Sequence, residues 1–292
     1  AHEGVRVLDV LFEGGRAVGV TIKDRHGSVR KVRARVVVDA SGENSLLMKR
    51  LGLRIWDPVL NKGAIWTYYE GAHRDEGRDE GATLVLQTAN KNGWFWYIPL
   101  TDNKVSVGVV AESEYLYRDS RDPESIFCRE AEACAWIKDH IDQAQYLGPM
   151  RVTGEFSYRA QKTSGDGFCL VGDAFSFLDP VFSSGLFLAL KSGEMAADAI
   201  HQGLDETGEV TRATFNSYER DFRWALDQFR QLVLAFYNES FNFGTFVKTY
   251  PELHTRLVDA LVGNVYTDLK PLFDALSEFS TRTSNARTQN PI

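Results

Sequence analysis

A chain of 292 residues with 43% hydrophobic and 25% charged residues can bury a sizeable core in one or two domains and has the composition of an ordinary globular protein. A net charge of -7 without any basic stripe excludes a nucleic-acid binder, and no apolar run reaches the length of a membrane span. Cys128, Cys134 and Cys169 form no CxxC pair and no metal-ligand cluster, so they read as reduced, mostly buried thiols of a cytoplasmic protein without a metal.

Residues 5–12, 17–23 and 28–33 alternate in the manner of three strands joined by the turns Glu13-Gly14-Gly15 and Arg25-His26-Gly27. Val36-Val37-Val38 is a continuous apolar run, which predicts a strand covered on both faces. It ends in Asp39-Ala40-Ser41-Gly42, and a short helix is predicted over 44–51. Strand patterns then follow at 64–69, 82–88, 94–100 and 105–111, with the charge-rich segment 73–81 as a solvated loop. The spacing predicts one amphipathic helix over 123–141 and another strand over 152–159.

Two stretches carry the chemistry. The first is GFCLVGDAFSFLDPVFSSGLFLALKSGEMAADAI, residues 167–200. Phe168 to Val171 is long enough for one buried strand, and Gly172-Asp173 ends it in a turn. Asp179-Pro180 and Ser183-Ser184-Gly185 lead into a helix on which Leu186, Ala189, Leu190, Gly193, Ala197 and Ile200 share one face. A carboxylate at the turn can accept hydrogen bonds from a hydroxyl-bearing ligand, and the helix start offers free N–H groups and a positive dipole end. An ordinary turn and an ordinary N-cap would have the same residues. The second stretch is Gly93-Trp94-Phe95-Trp96-Tyr97-Ile98-Pro99, in which Trp94, Trp96 and Ile98 share one face of a strand and Phe95 and Tyr97 the other. Beyond residue 200 the apolar spacing is helical: Phe222, Leu226, Phe229, Val233 and Phe236, then Leu253, Leu257 and Leu261, then Leu269, Leu272, Phe273 and Leu276. The residues from about Ser280 are polar and read as a disordered tail.

The 167–185 stretch resembles the second flavin-binding motif of FAD-dependent monooxygenases and halogenases of the p-hydroxybenzoate hydroxylase type. The WxWxIP of residues 94–99 matches in full the motif of the flavin-dependent halogenases within that superfamily. The resemblance implies an α/β fold: an interrupted, Rossmann-like FAD-binding domain of the glutathione-reductase type, an antiparallel β-sheet substrate domain and a C-terminal helical region. The corresponding boundaries are 1–55 and 161–204 for the FAD-binding domain, 56–160 for the substrate domain, 205–280 for the helices and 281–292 for the tail. It also implies that FAD is held by Gly42, Gly172, Asp173, Pro180, Ser183, Ser184 and Gly185, with chloride or bromide at Ser184 and Gly185. Trp94 and Trp96 would form a partition beside the flavin that keeps the organic substrate from it.

The activity so implied uses reduced FAD, O2 and halide to give hypohalite, which halogenates an electron-rich substrate. Because no NAD(P)H site is visible, a separate flavin reductase is the expected partner. Tryptophan halogenases carry a Glu where this chain has Phe182, so the resemblance favours phenol, pyrrole or carrier-bound substrates. No GxGxxG is present, and the family's catalytic lysine matches no position here; Lys62, Lys91 and Lys104 read as surface residues. The expectation is therefore the C-terminal portion of a longer protein, inactive alone, with the first dinucleotide-binding unit and the lysine upstream of residue 1. An aromatic hydroxylase or geranylgeranyl-reductase-like enzyme, or a non-catalytic flavoprotein, stands as the alternative.

Overall fold

The computed structural model describes residues 1–288 except Asn90, Glu239, Ser240, Val265 and Tyr266, with the backbone alone from 280 onward. The chain forms two compact units, one from Ala1–Trp56 with Tyr158–Ile292 and the other from Asp57–Ser157.

In the first unit the expected meander is Arg6–Glu13, Arg16–Lys23 and Val29–Arg33, antiparallel throughout. A separate small sheet sets Val37–Asp39 parallel to Phe168–Leu170, with Val37 opposite Phe168 and Asp39 opposite Leu170; Ser164–Gly165 closes its far side. These two strand ends therefore emerge side by side, although more than a hundred residues separate them in the chain. Val37–Asp39 has no second neighbour among the described residues, and Val38 is 44% exposed, so the expected cover on both faces is not found. The residues predicted as one strand over 152–159 divide between two sheets. Arg151–Thr153 joins the second unit, while Tyr158–Ala160 lies between Arg54–Trp56 and Ser176–Phe177 in the first. Helices Gly185–Thr207 and Asn216–Tyr237 cover the first unit, whose core includes Leu170, Phe175, Phe215, Phe222 and Phe229. The last helix, Lys270–Thr288, runs through much of the expected disordered tail; residues 289–292 lie outside the described residues.

The second unit is an antiparallel sheet. Gln145–Tyr146 and Arg151–Thr153 pair with Lys62–Glu70, which is followed by Lys104–Glu112, Gly93–Pro99 and Leu84–Gln87. Side chains alternate between its faces. Ile65, Phe95, Tyr97, Val107 and Val109 point to one face and pack with Ile126, Phe127 and Ile137 as a single core. The helix predicted over 123–141 is two helices, Pro123–Ala133 and Ala135–Ile141, separated by Cys134 in an extended conformation (φ -105°, ψ 93°). Asp122 caps the first, accepting from the Ser125 N–H, with Pro123 at the first helical position. Lys62 is not a surface residue: it is 4% exposed, and its Nζ bonds Oε1 of Glu112, directly across the ladder, at 2.9 Å.

Candidate functional site

Each of the two neighbouring strand ends carries an aspartate, and the structure gives the two opposite roles. Asp39 is buried and fully used: Oδ1 accepts from the Ser41 N–H at 3.0 Å and Oδ2 from the Leu47 N–H at 2.7 Å. It thus ties the strand end to the start of helix Leu46–Arg50. Between them, Gly42–Asn44 forms a tight turn with Gly42 at φ 63° and no atom within 4 Å of where its Cβ would stand, so its backbone is open to a close approach.

Asp173 lies in the corresponding turn Gly172–Ala174 and is only partly buried. Its carboxylate accepts no hydrogen bond from the described residues, in contrast to Asp39 and to the buried Asp179, whose oxygens take the Val181 N–H and the Tyr237 hydroxyl, each at 2.9 Å. Desolvation, and then the charge of Glu43, push its pKa above the ordinary aspartate value. A carboxylate that is partly desolvated without protein donors is suited to accept hydrogen bonds from a ligand.

The turn that presents Asp173 is held from three sides. Gly172 has φ 55°, and a Cβ there would stand 3.1 Å from Cβ of Ala189, so both its conformation and its contact with the helix exclude a side chain. The Gly172 N–H donates to Oγ of Ser192 at 2.8 Å, and that hydroxyl donates to the Ala189 carbonyl at 2.9 Å. The Tyr158 hydroxyl donates to the Asp173 carbonyl at 2.8 Å; burial raises the Tyr158 pKa, which keeps the phenol a donor. Arg54 stacks over the Tyr158 ring at 4.3 Å and bonds Oγ of Ser45 at 3.1 Å, joining the Gly42 turn to the Asp173 turn.

The loop before helix Gly185–Thr207 is also organised by local chemistry. Pro180–Phe182 is a single tight turn capped by Asp179, and Ser183 is left-handed (φ 52°). Ser184 stands at the N-cap, yet its side chain makes no cap hydrogen bond, so the first-turn N–H groups keep their affinity for an anion. A Cβ on Gly185 would meet nothing within 4 Å. Phe182 packs edge-on against Phe236 and Phe243. At 1.5 Å per residue, the helix start lies about 10 Å along the axis from Ser192 and hence from the Gly172 turn.

The helix face differs from the expected one. Leu186 and Leu190 are 74% and 68% exposed and Ala197 is exposed, whereas Leu188, Ser192, Ala196 and Gly203 are buried. Ser192 is inside because it holds the Gly172 N–H, which hydropathy does not reveal. Gly42, Gly172, Asp173, Pro180, Ser183, Ser184 and Gly185 all belong to the first unit, and the turns carrying Gly42 and Asp173 adjoin. Trp94 and Trp96 belong to the second unit, with ring centroids 6.1 Å apart. Tyr158, Arg54 and Ser192 were not legible as site residues; Asp39 carried a signal, as the end of an apolar strand that runs into Ser41-Gly42.

The tryptophan halogenase family model matches residues 5–247. The chain belongs to that family. It is 30% identical over 269 residues to the 1H-pyrrole-2-carbonyl-[peptidyl-carrier protein] chlorinase of Pseudomonas fluorescens, a match covering 91% of this chain and 59% of that protein. The chain thus spans about three fifths of the length of that relative. Among solved structures, the flavin-dependent brominase Bmp2 superposes with a TM-score of 0.84 at 26% identity, over 98% of this chain and 71% of the brominase. The myxobacterial chondrochloren halogenase CndH, described as a variant of FAD-dependent halogenases, gives a TM-score of 0.71 at 29% identity, over 96% of this chain and 68% of that one. The mixed α/β architecture with antiparallel sheets is the family's fold. No described helix is long and apolar enough to cross a membrane.

Proposed function

We propose that this chain supplies the flavin-facing turns and the aromatic wall of an FAD-dependent halogenase. One observation carries the reading: Asp173, partly desolvated and without a donor among the described residues, stands beside the Gly42 turn, whose backbone leaves room for a ligand. Asp173 would accept from a ribose or ribityl hydroxyl of FAD, with Gly42 and Gly172 against the cofactor's backbone and Pro180, Ser183, Ser184 and Gly185 beside its ring. In this reading 1–55 and 161–204 form the FAD-binding part, 56–160 the substrate part and 205–280 the helical cover. When bound and reduced, FAD supplies the electrons that activate O2 so that halide is oxidised to hypohalite.

The chain's own residues then divide the work. The uncapped N–H groups at Ser184 and Gly185 hold chloride or bromide through the dipole end of the helix, and Phe182 brings no competing negative charge. Trp94 and Trp96 exclude the organic substrate and bulk water from the oxidising centre. A substrate with an electron-rich ring, delivered on a carrier protein, fits the absence of a carboxylate at position 182 and the substrate named for the Pseudomonas relative. A separate flavin reductase in the cytoplasm would supply the reduced cofactor.

The test is a flavin titration of the full-length protein. Asp173→Ala removes a charge-assisted acceptor worth about 1.5–3 kcal/mol, so FAD affinity should fall about tenfold to over a hundredfold. Unchanged affinity in a folded variant would reduce Asp173 to a turn residue.

A further inference from the structure

On the sheet of the second unit, the face opposite the helix-covered core carries a row of residues that extends the WxWxIP motif's Trp96 onto other strands. Val85, Trp96, Gly108, Trp66 and Arg151 are successive register partners across five strands. Gly108 thus lies between two tryptophans, and its missing side chain is what lets them meet. A Cβ built on Gly108 would lie 2.2 to 2.5 Å from the nearest ring atoms of Trp96, which lies flat over that position. The indole then meets Trp66, with ring centroids 6.0 Å apart and planes at 51°. Its Nε1–H donates to Oγ of Ser106 at 3.1 Å, two residues from Gly108 on the same strand and face.

Trp96 is accordingly fixed by a seat, an end stop and a hydrogen bond. The exposures differ along the row: Trp94 is 2% exposed, whereas Trp96 and Trp66 are both half-buried. Trp94 therefore backs the wall from inside the packing, and the surface that a molecule can touch is made by Trp96 and Trp66.

We propose that Trp66 is a third member of the aromatic wall, and that Gly108 and Ser106 are positioning residues that set the plane of Trp96. The proposal rests on the reading of Trp96 as the partition and adds to it residues on two other strands. It also separates the two motif tryptophans: Trp96 and Trp66 form the surface of the wall, and the buried Trp94 supports it from behind.

Ser106→Ala, Trp66→Leu and Trp66→Phe in the full-length protein test this, with two readouts. The first is the near-UV circular dichroism of the coupled indoles, compared with Trp96→Phe, which does not depend on activity. The second is the ratio of halogenated product to hydrogen peroxide released. Ser106→Ala and Trp66→Leu should each change the near-UV signal and lower that ratio by about two- to tenfold, the range of one modest contact. Trp66→Phe, which keeps an aromatic stop, should restore most of both. Gly108→Ala should be destabilising alone and well tolerated in a Trp96→Ala background, because the two groups compete for one space.

An unchanged near-UV signal in folded Ser106→Ala and Trp66→Leu overturns the positioning role. A changed signal with an unchanged product ratio overturns the place of Trp66 in the wall. If the unmodified protein forms no halogenated product under any halide, the functional reading fails, and the near-UV and double-variant results still decide whether Trp66, Gly108 and Ser106 position Trp96.

Discussion

Ser192→Ala isolates the bond that fixes the Asp173 turn to its helix. Ser192 is fully buried, its Oγ is the acceptor for the Gly172 N–H at 2.8 Å, and Gly172 is itself buried. The variant leaves a buried N–H without a partner, at a cost of about 1–3 kcal/mol. Alanine returns about 0.5 kcal/mol through its better helix propensity. The net, about 0.5–2.5 kcal/mol, corresponds to a two- to sixtyfold easier local opening, roughly. Hydrogen–deuterium exchange read on a peptide covering 168–175 measures this directly, without assuming that the whole chain unfolds in one step. Exchange there should accelerate by that factor, while the meander Arg6–Glu13 to Val29–Arg33, which does not touch Ser192, keeps its rate. Equal protection of 168–175 in a folded variant would refute the claim that Ser192 holds the turn.

Burial raises the Asp173 pKa, so its ionised form opposes folding in the ligand-free protein. Asp173→Asn should therefore unfold at higher denaturant than the parent at pH 7. That advantage should shrink as pH falls through the raised folded-state pKa towards the ordinary value; a gap that widens in acid contradicts the sign. Ser184→Asp should cap its helix and preserve or raise thermal stability. If halide sits there, the new carboxylate should raise the halide concentration needed for half-maximal halogenation; an unmoved halide dependence places the ion elsewhere. With a thiol reagent, Cys128 alone should react in the native protein and all three cysteines in denaturant. Cys169, buried and pushed up to about 12, should be inert. The Cys128 rate should climb well above neutral pH, since burial and the nearby Glu124 and Glu132 raise that thiol too. Rapid native labelling of Cys169 would contradict its burial.

What could be read in the sequence was whatever depends on residue type at fixed local spacing. The meander announces itself by alternation and glycine turns, and Phe168–Leu170 by a short apolar run closed by Gly172. The failures share one cause: partners that only the fold supplies. Leu186 and Leu190 are apolar and suggest a buried face, but the helix turns Ser192 inward because the Gly172 N–H waits there. Lys62 looks like a surface cation until the register brings Glu112 opposite it. Asp39 and Asp173 both end apolar strands, and nothing local says that the first caps a helix whose Leu47 lies eight residues on while the second has no donor among the described residues. Gly108 reads as an unremarked strand glycine, and the indole lying over it belongs to the neighbouring strand.

The strand Val37–Asp39 has a consequence for handling the chain as a material. Its outer edge leaves backbone N–H and C=O groups unpaired among the described residues, beside a Val38 that is 44% exposed. The strand's one charge, Asp39, is buried and used within the unit, and an open edge without an exposed charge is a template on which another copy can add a strand. Three residues make such a contact weak, so association should be reversible and grow with protein concentration rather than produce immediate precipitate. Val38→Lys would place a charge on that edge and should lower the apparent mass in concentrated solution by light scattering, at little cost to folding because the side chain is already exposed. Concentration-dependent scattering that Val38→Lys leaves unchanged would locate the sticky surface elsewhere, with the exposed Leu186 and Leu190 the next side chains to replace.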